Sequence, residues 1–312
     1  MDEALGVLAR EFPDRTPTGV TPAGRGQSKR TAFVSFAAAE PVVVQLSPRP
    51  AALRTERALA RAVRARTSIP VPRVLAGGDR EDTGYAVFER APGVDLHERF
   101  TALDDATRRD VVRTFGRSLG ELHAAFEFEA FGSVRVEPGS SGGFRATEST
   151  DWPAWFRPYA REGVAALTDA FADLRAPIRE VVETAPLPDR PPARLFPWDL
   201  RPGNALVDDG SVSALLDWGD PLAAAPALAV AKAEHLTADW YVAAPEREPL
   251  RAAFREGYES VRPYPTVPDV YRLAAVVAAA VDSRGVVTRP GYPERRGEAA
   301  VEFHRERLRA LL

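Results

Sequence analysis

The stretch FPWDLRPGN carries Asp199 and, five residues on, Asn204; a second acid, Asp217, follows within LLDWGD. One carboxylate can accept or orient the proton of an attacking hydroxyl. An amide oxygen and another carboxylate suit magnesium, a hard cation that takes oxygen ligands. Such an ion bridges phosphate oxygens and offsets their charge. The set therefore fits phosphoryl transfer, with Asp199 at the hydroxyl and Asn204 and Asp217 on the metal. The competing reading is a polar surface loop and a capped hairpin, because Asp and Asn favour turns through local hydrogen bonds. Asp217 weighs against it, since a carboxylate directly after Leu215-Leu216 in an apolar strand needs a partner.

A tight turn and a hairpin must hold these residues. Pro202-Gly203 provides the turn between Asp199 and Asn204. Ala205–Val207 and Val212–Leu216 read as short strands around Asp208-Asp209-Gly210, a good hairpin turn. Upstream, Thr31–Ala38 and Val42–Leu46 are rich in β-formers and read as a hairpin. Ala51–Arg66 has helical apolar spacing at Leu53, Leu59, Ala60 and Val63. Val71–Ala76 and Tyr85–Glu89 are two more strands, with GGDREDTG as their turn. ERAPGVDL, from Glu89, reads as a linker. Beyond it, Asp104–Ala124 is a helix with Val111, Val112, Phe115, Leu119 and Leu122 on one face. Pro138–Gly143 is a loop, Trp152 to Glu183 is helical, and the remainder past the hairpin is mainly helical. The expected class is α+β, with a small β-rich lobe over 1–90 and a larger helical lobe over 91–312.

Composition narrows the partners. The chain has 312 residues, 45% hydrophobic and 27% charged, enough for a real core. A net charge of -3 gives no field that would favour nucleic acid or an anionic membrane, and neither is expected as a partner. With no cysteine, disulfides and thiolate metal sites are excluded. MDEALGVLAREF lacks the features of a signal peptide. The longest apolar stretches are about half the roughly 20 residues of a membrane span. The expected location is cytoplasmic.

DLRPGN, a hairpin and then LDWGD resemble the aminoglycoside phosphotransferase and choline kinase-like family, relatives of the protein kinases. That family's pattern is His-Gly-Asp, four residues, Asn, a hairpin, then Asp-Trp/Phe-x-Asp. IPVPRVL, YAVFERAPG, LGELH and DWGDPLAAAPALAVA fall in the family's order, so the resemblance covers most of the chain. It implies a protein kinase-like two-lobed fold. It also implies transfer of the γ-phosphoryl of ATP or GTP to a hydroxyl of a small molecule: an amino sugar, amino alcohol, sugar or similar metabolite. On the same grounds Asp199 is the catalytic base, Asn204 and Asp217 hold Mg2+, and Asp220 supports them. Glu89 to Ala91 would lie at the hinge and offer backbone groups to adenine.

Three departures from the pattern matter. Pro197-Trp198 stands where the family has His-Gly; proline brings no N–H, and tryptophan can fill by bulk. Gln45, in VVVQLS, stands where kinase-like folds place a phosphate-binding Lys or Arg, so one cation is missing. Yet Glu56, that lysine's usual partner, shares the inward face of its helix with Leu53 and Leu59; a rotated helix with a solvated Glu56 is the alternative. The sequence has only two lysines, Lys29 and Lys232. Lys29 lies in AGRGQSKRTAF, where Gly24 and Gly26 would let backbone N–H groups approach phosphate. The "with no lysine" protein kinases are similar, drawing this lysine from the glycine-rich region. Lys29, or failing it Arg30, is thus expected to supply the charge, against a solvated loop residue. The rival function is a nucleotide-binding pseudokinase with a regulatory role, which Gln45, Pro197 and Trp198 favour and the retained Asp199, Asn204 and Asp217 oppose. His123 is expected to be structural, Trp152, Trp155 and Tyr159 to be packing or a substrate wall, and Lys232 to form a salt bridge.

Overall fold

The computed structural model describes residues 2–24, 29–80, 82–137, 143–282, 284–289 and 295–312. Helix α1 (Asp2–Glu11) precedes an antiparallel sheet of β1 (Pro17–Pro22), β2 (Arg30–Phe36), β3 (Val42–Ser47), β4 (Val74–Arg80) and β5 (Thr83–Glu89). Its strand order is β1-β2-β3-β5-β4. Strand alternation sorts the side chains. Val42, Val44 and Leu46 of β3 join Val34, Val87 and the α1 residues Val7 and Leu8 in one core. Val43 and Gln45 project from the opposite face and line a cavity.

Helix α2 (Pro50–Arg66) starts with proline at its first turn, where the missing N–H has no intrahelical acceptor to lose. Its Leu59, Ala60 and Val63 pack into the larger core of the rest of the molecule. The chain continues through β6 (Val94–Asp95), α3 (Leu96–Arg99) and α4 (Asp105–Ala125), the last capped by Asp104, which accepts from the Ala106 and Thr107 N–H groups. A second five-stranded sheet contains β7 (Glu127–Phe128), β8 (Gly132–Val136), β9 (Phe144–Ala146), β10 (Ala193–Phe196) and β13 (Leu222–Ala224). Between β9 and β10 lie α5 (Trp152–Ala166) and α6 (Ala172–Thr184). The hairpin β11 (Ala205–Asp208)–β12 (Ser211–Leu215) pairs with β6. Helices α7 (Pro226–Glu234), α8 (Ala244–Glu259) and α9 (Asp269–Ala280) follow, then the short pair β14 (Thr288–Arg289) and β15 (Arg295–Arg296), and α10 (Glu298–Arg309). Among the described residues no helix is long and apolar enough to cross a membrane.

The structure moves several expected boundaries. β4 runs to Arg80 instead of ending at Ala76, so Gly77 and Gly78 are strand and not turn. Close neighbours explain the glycines: a Cβ on Gly77 would stand 2.5 Å from Arg57 Cδ, and one on Gly78 2.5 Å from the Tyr85 hydroxyl. The helical stretch from Trp152 divides at Leu167–Phe171, where both of those side chains are buried. The linker after Glu89 contains β6. Of the loop expected over Pro138–Gly143, residues 138–142 lie outside the described residues.

Candidate active site

Three hydrogen bonds, one from a side chain and two between backbone groups, bring the two halves of the sequence motif together. Asn204 Nδ2 donates to Asp199 O at 2.9 Å. The Asn204 N–H donates to Arg201 O at 3.0 Å, and Asn204 O accepts from the Leu216 N–H at 2.8 Å. The next residue is Asp217. The hairpin between them turns at Asp209 and Gly210, with φ of 46° and 74°, the left-handed pair a tight hairpin requires. β6 pins the hairpin from the other side, with Leu206 opposite Asp95 and Val207 opposite Val94. Gly93 makes this approach feasible: its φ is 102°, and a Cβ there would meet Val207 O at 2.6 Å. Asp217 and Asp220 also hold left-handed φ values of 59° and 45°. Asp tolerates that region better than most residues, and such strained positions concentrate at functional sites.

Lys29 closes the cluster. Its Nζ lies 2.6 Å from Glu56 Oε1 and 2.9 Å from Asp217 Oδ1. The Lys29 and Glu56 side chains are only 13% and 6% exposed, so this is a buried pair and not a solvated loop charge. Burial opposes the ammonium, but Glu56 and Asp217 outweigh it and hold the Lys29 pKa above its ordinary value. Burial pushes the Glu56 carboxyl up, and Lys29 offsets only part of that. Arg30, the fallback candidate, pairs instead with Glu3 of α1. Gln45 lies beside the cluster, with its buried Oε1 lacking a hydrogen-bond partner among the described residues. Gly24, two residues past the end of β1, stands in open space, with no described group near its Cβ position, and Gly26 lies outside the described residues.

Two cavities meet at Glu56 and Asp217. The larger, about 360 Å³, is lined by Val43, Gln45, Phe88, Ala91 and Leu206 among others. The smaller, about 100 Å³, is lined by Lys29, Arg49, Asp199 and Gly219 as well as the shared acids. An apolar slot next to a small charged recess suits a molecule with a flat ring at one end and anions at the other. At the edge of the slot, the Glu89 N–H already donates to Arg73 O at 3.0 Å, and its carboxylate takes the Arg73 side chain. Glu89 is therefore committed, which narrows the hinge donor expected over Glu89 to Ala91. The Ala91 N–H has no backbone partner among the described residues and lines the slot.

The oxygen donors fit magnesium. The Asn204 amide spends its nitrogen on Asp199 O, which leaves its oxygen for a cation. Asp217 accepts from Lys29 through Oδ1, which leaves Oδ2. Gly219 leaves room over the acids, since a Cβ there would stand 3.3 Å from Asp217 Oδ1 and 3.4 Å from Glu56 Oε2. Two protein oxygens completed by phosphate and water is the usual magnesium arrangement. Among the described residues no group of three or more His, Cys, Asp and Glu side chains is placed to hold a metal.

Around Asp199 the structure adds residues that the sequence reading did not single out. Arg201 Nε donates to Asp199 Oδ2 at 3.1 Å. Arg49 makes a two-pronged bond to Asp220 at 3.1 and 3.0 Å. Among the described residues Lys232 forms no salt bridge, contrary to expectation. Its Nζ sits 3.1 Å from the centre of the Trp198 ring, and burial lowers its pKa to about 7. Trp152, Trp155 and Phe156 stack in the core, and Tyr159 extends that cluster edge-on to Trp198 at 5.8 Å. His123 is structural: it is fully buried, its Nδ1 lies 2.8 Å from the Tyr258 hydroxyl, and burial drives its pKa down to about 3.

Comparison with known proteins gives the family and the fold. The model of the phosphotransferase enzyme family matches residues 19–273. No curated protein matches the chain. Among solved structures, aminoglycoside phosphotransferase APH(4)-Ia superposes with a TM-score of 0.67 at 18% identity, covering 100% of this chain and 98% of that one. A thermostable mutant of that enzyme, in ternary complex with AMP-PNP and hygromycin B, gives 0.65 at 18% identity, covering 98% and 96%. A protein assigned as a fructosamine-3-kinase, from Haemophilus somnus 129PT, gives 0.64 at 14% identity, covering 100% and 98%. At these identities the superpositions show the shared fold.

Proposed function

Since the chain belongs to the phosphotransferase enzyme family and is a small-molecule kinase, we propose that it moves the γ-phosphoryl of ATP or GTP to a hydroxyl of a small molecule. The acceptor class is an amino sugar, amino alcohol, sugar or similar metabolite. The division into a nucleotide-binding lobe over 1–90 and an acceptor lobe over 91–312 belongs to the same reading.

The base lies in the slot between Val43, Phe88 and Leu206, with the Ala91 N–H as hinge donor and Gln45 Oε1 as an acceptor for a nucleotide donor group. Lys29 reaches the phosphates from the position that Glu56 and Asp217 give it. Asn204 and Asp217 would hold magnesium, which when bound neutralises charge on the phosphate oxygens. Asp199 accepts the hydroxyl proton, kept in place by Arg201 and by the Asn204 tie to its carbonyl. Transfer through a loose transition state leaves the protein mainly positioning and electrostatics to supply. A non-hydrolysable ATP analogue in the structurally similar APH(4)-Ia complex supports nucleotide use, and hygromycin B there supports a hydroxyl-bearing acceptor.

The observation that carries this reading over a pseudokinase is the Lys29–Glu56–Asp217 cluster. It supplies the cation that Gln45 lacks, from the residue just before β2. The test is transfer of γ-labelled phosphate to a panel of small-molecule alcohols, with and without magnesium. Asp199→Asn should lower kcat by about 10²–10⁴-fold with nucleotide affinity kept. Nucleotide binding with no turnover across the panel would instead support the pseudokinase.

A further inference from the structure

Lys232 has no place in the chemistry above, yet it touches the loop that carries Asp199. It is 2% exposed on α7, with Nζ 3.1 Å from the centre of the Trp198 ring and 5.8 Å from that of Phe196. It makes no salt bridge among the described residues. Burying an amine among apolar groups is costly unless something there requires it. The aromatic face is what meets it, in the geometry of a desolvated cation–π contact. Trp198 directly precedes Asp199, and its ring is braced by Tyr159 edge-on at 88° and by Phe196 at 5.7 Å. Pro197, just before it, brings no N–H to anchor the backbone.

We propose that Lys232 is a positioning residue for the phosphoryl transfer: its ammonium, seated on Trp198, fixes the loop so that Asp199 stays aimed at the acceptor hydroxyl. The inference rests on the functional reading above. Burial disfavours the charged amine, Asp199 favours it and Arg201 disfavours it, which leaves its pKa at about 7. Other titratable groups on the elements around α7 have partners of their own. These are His123 of α4 with Tyr258, Tyr271 of α9 with Trp152, Arg194 of β10 with Glu127, Glu234 with Arg272, and His235 with Asp239. The grip on Trp198 is therefore lost as pH rises through neutrality.

Two lysines in the whole sequence make a direct test possible. Carbon-13 labelling of lysine gives two ε signals, assigned by replacing Lys29. The Lys232 ε-protons should be shifted upfield by the Trp198 ring current, revert in Trp198→Leu, and titrate near neutral pH. In kinetics, Lys232→Met with an intact circular dichroism spectrum should lose about tenfold or more in kcat, because a small misplacement is enough for that, while KM for nucleotide stays nearly constant. Lys232→Arg should restore most of kcat and move the alkaline loss of activity to higher pH. An unshifted Lys232 signal in the parent overturns the inference without any variant having to fold. So does a folded Lys232→Met with the parent's kcat and pH profile. A parent that turns over no acceptor overturns the functional reading and this inference with it, whereas a turning-over parent indifferent to Lys232 overturns this inference alone.

Discussion

At the scale of single residues, one ammonium serves two carboxylates. Lys29 is the only lysine besides Lys232, and it spans from Glu56 of α2 to Asp217 after β12. Removing one partner of a buried pair leaves an uncompensated charge, which costs about 3–5 kcal/mol. Lys29→Met should therefore weaken nucleotide binding and lower stability by about that amount at neutral pH. The double variant Lys29→Met/Glu56→Gln should recover most of the stability but none of the affinity, read by denaturant melts and nucleotide titration. The pH sign follows from Glu56. Burial raises its folded pKa above the ordinary 4.5, so its contribution is fully present below the unfolded pKa and is lost as pH rises through the folded one. Without Lys29 that loss deepens. Lys29→Met should fall away from the parent most steeply between acid and neutral pH, and a parallel pair of stability curves would refute the coupling.

At the scale of elements, the site depends on helices that meet at bare backbone. α4 and α8 cross so closely that a Cβ on Gly116 would stand 1.9 Å from Phe254 O, and one on Gly257 2.0 Å from Arg113 O. The crossing holds His123 against Tyr258. Gly257→Ala should destabilise by about 3 kcal/mol or more, since backbone cannot move aside as a side-chain tip can; a melt within a degree of the parent would contradict the packing. The spacing of Val111, Val112, Phe115, Leu119 and Leu122 made α4 legible, because one face is apolar and the other polar. The Asp199–Asn204–Asp217 set was legible because a turn and a hairpin bring close what is near in sequence. Lys29 with Glu56 needed one long-range step, which an acid on an inward helix face was enough to suggest. The Lys232–Trp198 contact was not legible: α7 is buried on every side, from Pro226 to Glu234. With no polar face, its periodicity says nothing about which neighbour each residue meets. The same holds for Arg201, a charged residue in a polar loop until the fold turns it onto Asp199.

At the scale of the molecule, the β1–β5 sheet and the remainder keep separate cores, with α2 packed into the larger one. The candidate site is lined from both, so a ligand bound there would touch both. Arg49 and Asp220 cross the opening, but they are 53% and 52% exposed, and such pairs contribute about 0–1 kcal/mol. Arg49→Ala should accordingly leave the melting temperature nearly unchanged. A nucleotide that contacts both sides has a larger effect. At a concentration a hundred times its Kd, binding adds about 2.7 kcal/mol, a rise of roughly 5 °C for a chain of this length. If Asn204 and Asp217 hold the metal, AMP-PNP with magnesium should give that rise and AMP-PNP with a chelator much less. Asp217→Ala should abolish the magnesium-dependent part, because it removes a ligand and one of the two acids that place Lys29. Asn204→Ala should abolish it too, while leaving the Lys29–Glu56 pair in place. A magnesium-dependent shift that survives in both variants would mean that the metal is held elsewhere, and it would remove Asn204 and Asp217 from the proposed reaction without touching the fold.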